Sequence, residues 1–194
     1  MYRRDFLGLS LAALATPTFA APRPYTLSGA GATITYTFQL NGAPVKGTVP
    51  IDTANLTIDS ANLAASTADV TADVRRARTG LIFATEALKS SSVLNAAAFP
   101  LARFQSTRIK LGPGGRLSEG AVVDGKLTLR GATRPVRFNA SLFRPRGTKP
   151  GDFSTLNVKL SGQVNRRDFG ATGYADLVDN TVAIAITAEI ATTA

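Results

Sequence analysis

The chain has 194 residues, with 22 Lys or Arg against 13 Asp or Glu, a net charge of +9, and no His or Cys. Without histidine and cysteine we expect no transition-metal site, no Ser-His-Asp or Cys-His catalysis and no disulfide framework. The positive charge favours anionic partners such as membrane surfaces, whereas scattered basic residues without interleaved aromatic residues argue against nucleic-acid binding.

The first twenty residues have the features of an export signal. A basic start is followed by a short apolar run from Leu9 to Leu14 and by small residues before a cleavage site after Ala20. The run is too short to span a membrane, and the segment from Arg3 to Leu7 resembles a twin-arginine signal, although the general export route also requires positive charge. Removing residues 1–20 leaves one predicted domain at 21–194 with a charge of +8, which we expect in the periplasm.

A clear β pattern begins at Thr33, where Ile34, Tyr36, Phe38 and Leu40 alternate with polar residues. This alternation predicts a half-buried strand. Asn41-Gly42 is a hairpin turn signal, because the favoured two-residue turn needs positive φ at both positions. Residues 45–51 form the predicted return strand, which Pro50 should end or place at an edge. Two more strands are predicted at 55–58 and 62–70.

Residues 73–98 predict a short helical insert, because Ala77, Leu81, Ala84 and Leu88 recur at helical spacings. Phe99-Pro100 ends it. Strands are predicted at 102–111, 117–129, 136–143, 154–164 and 181–190. About eight strands with short turns favour a mainly β, single closed antiparallel barrel, whose interior fits packed side chains or one slender ligand. A membrane-spanning barrel is disfavoured, because the chain has no Trp and four Tyr.

Four segments, in this order and spacing, resemble the YceI-like family of polyisoprenoid-binding proteins: Leu88-Lys89-Ser90 through Phe99-Pro100 and Phe104-Gln105-Ser106, then residues 123–136, 165–170 and 177–182. The resemblance implies an extended lipocalin-like barrel with a hydrophobic tunnel for an isoprenoid chain and no catalytic residues. It implies binding, transport or storage of a polyprenol, polyprenyl phosphate or quinone-like lipid, and no cofactor besides that lipid. The chain lacks the histidine that family members commonly carry, so a headgroup contact through that residue is absent.

The predicted tunnel lining consists of apolar residues from the strands and the helical insert: Ile34, Tyr36, Phe38, Leu88, Phe99, Phe104, Leu127, Leu129, Val164, Ile184 and Ile186. Each could equally be an ordinary core residue, because a ligand-free barrel buries the same positions. Arg134 and Arg166 are predicted headgroup or rim contacts. The alternative for Arg166 and Arg167 is a structural ion pair with Asp168.

Other functions stay open at this point. The chain could bind another amphiphile, such as a fatty acid or amide, with its basic surface on anionic lipid. It could instead be a ligand-free barrel that acts through a protein partner. An enzyme that uses carboxylates on an apolar substrate is a third alternative, but the sequence contains no recognisable nucleophile and base. Both a monomer and a homodimer are compatible with the sequence.

Overall fold

The computed structural model describes residues 21–115 and 119–193. The predicted export signal at 1–20 and the predicted strand start at Leu117 lie outside these residues. One α-helix and nine strands are present in the described part: β1 (Arg23–Leu40), β2 (Ala43–Ile58), β3 (Thr67–Asp73), β4 (Arg78–Thr79), α1 (Ile82–Lys89), β5 (Leu101–Leu111), β6 (Ala121–Leu129), β7 (Ala132–Phe143), β8 (Thr155–Asn165) and β9 (Thr181–Thr192).

The eight long strands form a closed antiparallel barrel, which confirms the predicted fold class. Their order is β1-β9-β8-β7-β6-β5-β3-β2, and β1 pairs back onto β2. The two-residue strand β4 only adds to β2, at Gly47 and Thr48. Closure leaves no long strand with an unpaired edge along its whole length, which removes the usual template for aggregation.

The β1–β2 hairpin turns at Asn41 and Gly42, with φ of 50° and 76°, as the sequence predicted. The predicted strands at 45–51 and 55–58 are a single strand, β2, so the expectation that the strand ends at Pro50 was wrong, whereas the alternative of an edge position holds locally. On the side away from β1, the pairing of β2 with β4 stops at Thr48 and its pairing with β3 begins at Ile51. Pro50 falls between these two pairings, where its missing N–H costs no ladder hydrogen bond.

The helical insert is shorter than the range 73–98 in which it was predicted. It contains α1 and one 3₁₀ turn at Val74–Arg76, which the Asp73 side chain caps by accepting from Arg75 N at 3.0 Å. The strand predicted at 62–70 starts only at Thr67. The Asp59 carboxylate accepts from the backbone N–H groups of Ala61 and Asn62, and this local turn delays the strand.

The two ends of the barrel differ. One end carries α1, the β1–β2 and β6–β7 turns and the connection at 166–180, and we call it the α1 end. Backbone hydrogen bonds join these segments, for example from Asn41 N to Leu177 O at 2.8 Å. The opposite end is closed by a packed cluster of Tyr25, Leu156 and Ile190. The Tyr25 hydroxyl donates to Phe153 O at 2.5 Å, so its polar atom is satisfied inside this cluster. Within the described residues, no helix is long and apolar enough to cross a membrane.

Inward-facing aromatic rings cover glycines on neighbouring strands: Tyr36 lies over Gly47, Phe104 over Gly125 and Phe138 over Gly162. The Phe104 and Phe138 rings also meet edge to face, with centroids 5.4 Å apart. A Cβ atom at any of the three glycines would collide with the ring that covers it. These positions therefore require glycine for close approach rather than for a special backbone angle.

Gly125→Ala should destabilise the barrel by about 1–3 kcal/mol, because the added methyl group displaces the Phe104 ring from a packed wall. Gly80→Ala is the matched control, since a Cβ at Gly80 has no neighbour within 4 Å. Urea unfolding midpoints measure both variants. Equal stability of the two variants would contradict the packing described here.

Three carboxylates on strands β3 and β6 pair with arginines: Asp69 with Arg103 at 2.5 Å, Asp73 with Arg75 at 2.9 Å and Asp124 with Arg137 at 2.6 Å. In each pair, the hydrogen bond from the arginine side chain holds the pKa of the aspartate below its ordinary 3.8. A carboxyl group whose pKa is lowered in the folded state stabilises the fold at pH values above its unfolded pKa. It loses this contribution as the pH falls from the unfolded pKa through the folded pKa.

We therefore expect the unfolding free energy to change little from pH 7 to about pH 5 and to fall below about pH 4. Asp124→Asn should flatten this acid-side loss, because it removes one carboxylate that resists protonation in the folded state. Asp176→Asn is the control, since Asp176 is exposed and no Lys or Arg of the described residues lies within 4.0 Å of it. Denaturant unfolding at a series of pH values gives the slopes, and identical slopes for the two variants would contradict the assignment.

Candidate functional site

The barrel encloses a cavity of about 460 Å³. All eight long strands and α1 contribute lining residues, so the cavity follows the barrel interior from the cluster at Tyr25 toward the α1 end. Its volume falls in the range of about 300–1,000 Å³ that is typical of small-molecule sites. The fold thus provides an enclosed, elongated and almost wholly apolar compartment.

The cavity exists because many inward positions carry alanine. Small side chains at alternate strand positions cannot reach across the barrel, so the interior stays unfilled. None of these alanines was among the predicted tunnel residues, which all carry larger apolar side chains. The sequence does contain a signal for them, which is alanine at strand positions that face the same side as the large apolar residues, as Ala102 does with Phe104. The alanines in the lining are Ala54, Ala68, Ala72, Ala84, Ala87, Ala102, Ala140, Ala171 and Ala188.

Ten of the eleven predicted tunnel residues line this cavity: Ile34, Tyr36, Phe38, Leu88, Phe104, Leu127, Leu129, Val164, Ile184 and Ile186. Phe99 does not line it. Its ring is exposed and lies over Gly131 in the β6–β7 turn. Gly131 has φ of 75°, and its lack of a side chain leaves room for the ring. The sequence placed Phe99 beside the helical insert but could not show which side of the barrel wall it occupies.

Arg134 is exposed at the α1 end and does not line the cavity. Its Nε donates to Asp168 O at 2.9 Å and one terminal nitrogen donates to Thr133 O at 3.1 Å. Arg134 thus fastens β7 to the 3₁₀ turn Arg166–Phe169. Because both hydrogen bonds are to backbone carbonyls, Arg134 helps to hold the main chain in place at the rim of the barrel.

Arg166 lines the cavity and is only 6% exposed. Its guanidinium donates to four backbone carbonyls between 2.7 and 3.0 Å, those of Ala171, Gly173, Val178 and Asp179. Among the described residues, no carboxylate lies within 4.0 Å of this guanidinium, so the predicted ion pair with Asp168 is not formed. Burial, and then the neighbouring Arg167, lower the pKa of Arg166.

Two further polar residues of the wall, Tyr36 and Ser66, are also hydrogen-bonded to the protein. The Tyr36 hydroxyl donates to Arg78 O at 2.9 Å, and burial raises the pKa of this hydroxyl far above its ordinary value. The Ser66 Oγ accepts from Asp59 N at 3.1 Å. No carboxylate lines the cavity, and within residues 21–115 and 119–193 no group of three metal-ligating side chains is found. The described wall of the cavity is therefore almost wholly apolar.

The exposed large apolar side chains of the cavity wall indicate a mouth at the α1 end. Three large apolar side chains there, those of Phe83, Tyr174 and Leu177, are both exposed and part of the cavity lining. Phe83 belongs to α1, and the other two belong to the 166–180 connection. A second depression, of about 570 Å³, lies on the outer faces of β1, β7, β8 and β9, where it is open and lined by groups such as Thr35, Thr37 and Asn139.

Comparisons with known proteins agree with this architecture. The model of the YceI-like domain family matches residues 25–190. A UPF0312 protein of Photorhabdus laumondii is 30% identical over 173 residues, which cover 87% of each chain. Among solved structures, Burkholderia cenocepacia BcnA matches with a TM-score of 0.69 and 18% identity, over 81% of this chain and 95% of BcnA. A polyisoprenoid binding domain from Saccharophagus degradans matches with a TM-score of 0.60 and 13% identity, over 88% of this chain and 99% of that domain. The chain therefore belongs to the YceI-like family.

Proposed function

We propose that the protein binds a long apolar isoprenoid lipid in the barrel cavity and carries or stores it without covalent chemistry. The observation that carries this proposal is the enclosed apolar cavity of about 460 Å³. The structural likeness to a domain described as polyisoprenoid-binding supports it. Candidate ligands are a polyprenol, a polyprenyl phosphate or a quinone-like lipid.

The energetics favour a chain-like apolar ligand. Each methylene that leaves water for the cavity contributes about 0.8 kcal/mol. The wall offers few free polar atoms, because Tyr36, Ser66 and Arg166 already bond to the protein. Affinity therefore comes from the length of the buried chain, to which the ten lining residues predicted from the sequence contribute direct contacts.

Arg166 favours a lipid with an electronegative head group near the α1 end. Four carbonyl oxygens stabilise the guanidinium, but they carry only partial charges and leave a buried cation without a carboxylate partner within 4.0 Å among the described residues. A phosphate or quinone oxygen close to Arg166 would supply the missing negative charge. Arg134 would contribute by holding the turn that carries Arg166.

The proposed place of action is the periplasm. The twin-arginine-like segment in residues 1–20 would export the chain, and residues 21–194 would form the mature lipid-binding domain. Export after folding would allow the barrel to be loaded before it crosses the membrane.

Native mass spectrometry of the protein purified from its own periplasm, followed by solvent extraction, tests the proposal. We expect about one polyprenyl species per chain. A fatty acid or amide in its place would support a carrier of other amphiphiles. An apo mass that stays unchanged after incubation with polyprenols and quinones would overturn the carrier function and favour a ligand-free barrel that acts through a protein partner.

Ala102→Phe provides the matched mutational test, because this side chain lines the cavity and phenylalanine would occupy part of the space. Ala185→Phe is the control on the exposed face of β9. We expect the first variant to lose at least about tenfold in lipid affinity, which corresponds to 1.4 kcal/mol, and the second to keep it. The thermal midpoint of each variant shows whether the barrel is folded. Retained affinity in a folded Ala102→Phe protein would contradict the assignment of the cavity.

Arg166→Gln should lower the unfolding free energy by about 3 kcal/mol, because it leaves buried carbonyl groups without donors. Arg167→Gln is the control, since Arg167 is exposed. If Arg166 also faces the head group, the preference for polyprenyl phosphate over polyprenol should fall in the Gln variant and persist in Arg166→Lys. An unchanged preference in folded Arg166→Gln would restrict this residue to a structural role.

A further inference from the structure

The start of α1 exposes three consecutive large apolar side chains. Ile82 is 87% exposed and Phe83 is 66% exposed, and Leu81 directly before them is also exposed. A run of this kind is uncommon on the surface of a soluble domain and marks a site of interaction. We call Leu81-Ile82-Phe83 the apolar tip.

The apolar tip is held in place by hydrogen bonds. Thr79 Oγ1 accepts from Leu81 N at 3.1 Å and donates to Leu81 O at 2.7 Å. The Thr85 hydroxyl accepts from Thr79 N at 2.9 Å, so the turn before α1 is tied to the first turn of the helix. The backbone that carries the exposed side chains is therefore held rigidly, and little backbone conformational entropy would be lost when they become buried.

Basic residues flank the apolar tip. Gly80 N donates to Lys46 O, and Arg78 pairs with Thr48, so the turn lies directly on β2. Lys46, Arg76 and Arg78 are exposed, and no carboxylate of the described residues lies within 4.0 Å of their charged groups. The nearby Asp73 and Glu86 are paired with Arg75 and Lys89. Lys46 and Arg78 thus bring positive charge to the apolar tip, whereas Arg76 lies close enough to Asp73 for the two charges to interact, and the exposed Asp176 of the 166–180 connection adds one negative charge to the same end.

The apolar tip is continuous with the mouth of the cavity, because Phe83 belongs to both. Tyr174 and Leu177 extend the exposed apolar surface across the opening. An apolar molecule leaving the cavity here would meet apolar side chains before it met water. This arrangement is suited to contact with a surface that has an apolar interior and negatively charged groups on its outside.

We propose that the α1 end docks on an anionic lipid bilayer, with Ile82 and Phe83 inserted among the acyl chains and Lys46, Arg76 and Arg78 at the headgroups. The combination of buried apolar side chains and basic residues is what binds interfacial proteins to anionic membranes. The opposite end is also basic, through Arg144 and Arg146, but its exposed Phe143 is a single ring covered by Lys159 Nζ at 5.9 Å. Because both ends are basic, the apolar tip is the feature that distinguishes the α1 end as the docking surface.

A fluorescence experiment tests the docking directly, because the chain contains no tryptophan. Ile82→Trp introduces a single reporter in the apolar tip, and Phe143→Trp introduces one at the opposite end. Vesicles of phosphatidylcholine with one quarter phosphatidylglycerol should shift the emission of the Ile82→Trp protein to shorter wavelength and leave that of the Phe143→Trp protein unchanged. No shift for Ile82→Trp, or equal shifts for both, would overturn the proposal.

Vesicle sedimentation supplies the affinity. Ile82→Ser should weaken binding to these vesicles about tenfold or more, because one large apolar side chain no longer leaves water. Phe143→Ser should bind as the unchanged protein does. Pure phosphatidylcholine vesicles or high salt should weaken binding of the unchanged protein. Equal binding of both serine variants, or binding insensitive to lipid charge and salt, would overturn the proposal.

Two further measurements separate the alternatives. If a second copy of the chain covers the apolar tip, the Ile82→Trp emission will shift with protein concentration in the absence of vesicles, and this would overturn membrane docking. Ile82 does not line the cavity, so Ile82→Ser should still bind lipid added in solution. Loss of vesicle binding with retained lipid binding supports docking. An empty cavity in a protein that still binds vesicles would refute the proposed function alone.

Discussion

The pairing of β1 with β2 closes the sheet, and the compartment inside depends on this closure. β1 extends over 18 residues and pairs with β9 along one side and β2 along the other. Both pairings shift register before Thr33, and irregularities of this kind let a long strand follow a curved wall. An open sheet with the same alternation would expose its apolar face to water, whereas the closed one encloses it.

Once the sheet is closed, the sizes of the inward side chains decide whether the interior is filled. Rings such as Phe104 and Phe138 pack against glycines in the wall and against each other, which keeps bulk close to the strands. Alanines such as Ala102 and Ala140 leave the space between opposite walls unoccupied. An unfilled apolar interior costs dispersion energy, and a bound apolar chain would recover it. The proposed lipid is therefore part of the stability of the barrel as well as its cargo.

The α1 end combines the only charged group in the described cavity wall with the opening. Arg166 fastens the 166–180 connection through four carbonyl groups, which fixes Tyr174 and Leu177 beside α1. A buried cation that organises a loop is costly to remove, because its carbonyl partners would lose their donors. The same interactions thus stabilise the connection and place a positive charge near the proposed head group, at the end that carries the proposed membrane surface.

The strand alternation, the Asn41-Gly42 turn and the family motifs could be recognised in the sequence, because each depends on residues close together in the chain. Period-two alternation also identified nine strand residues that share the inner face, because it assigns a face without knowledge of the partners, and the helical spacing added Leu88. The sequence could not place Phe99, predict the hydrogen bonds of Arg166 or show that Pro50 lies inside a continuous strand. Those features, and the cavity itself, depend on which side chains meet across the barrel, and only the closed tertiary structure brings such distant residues together.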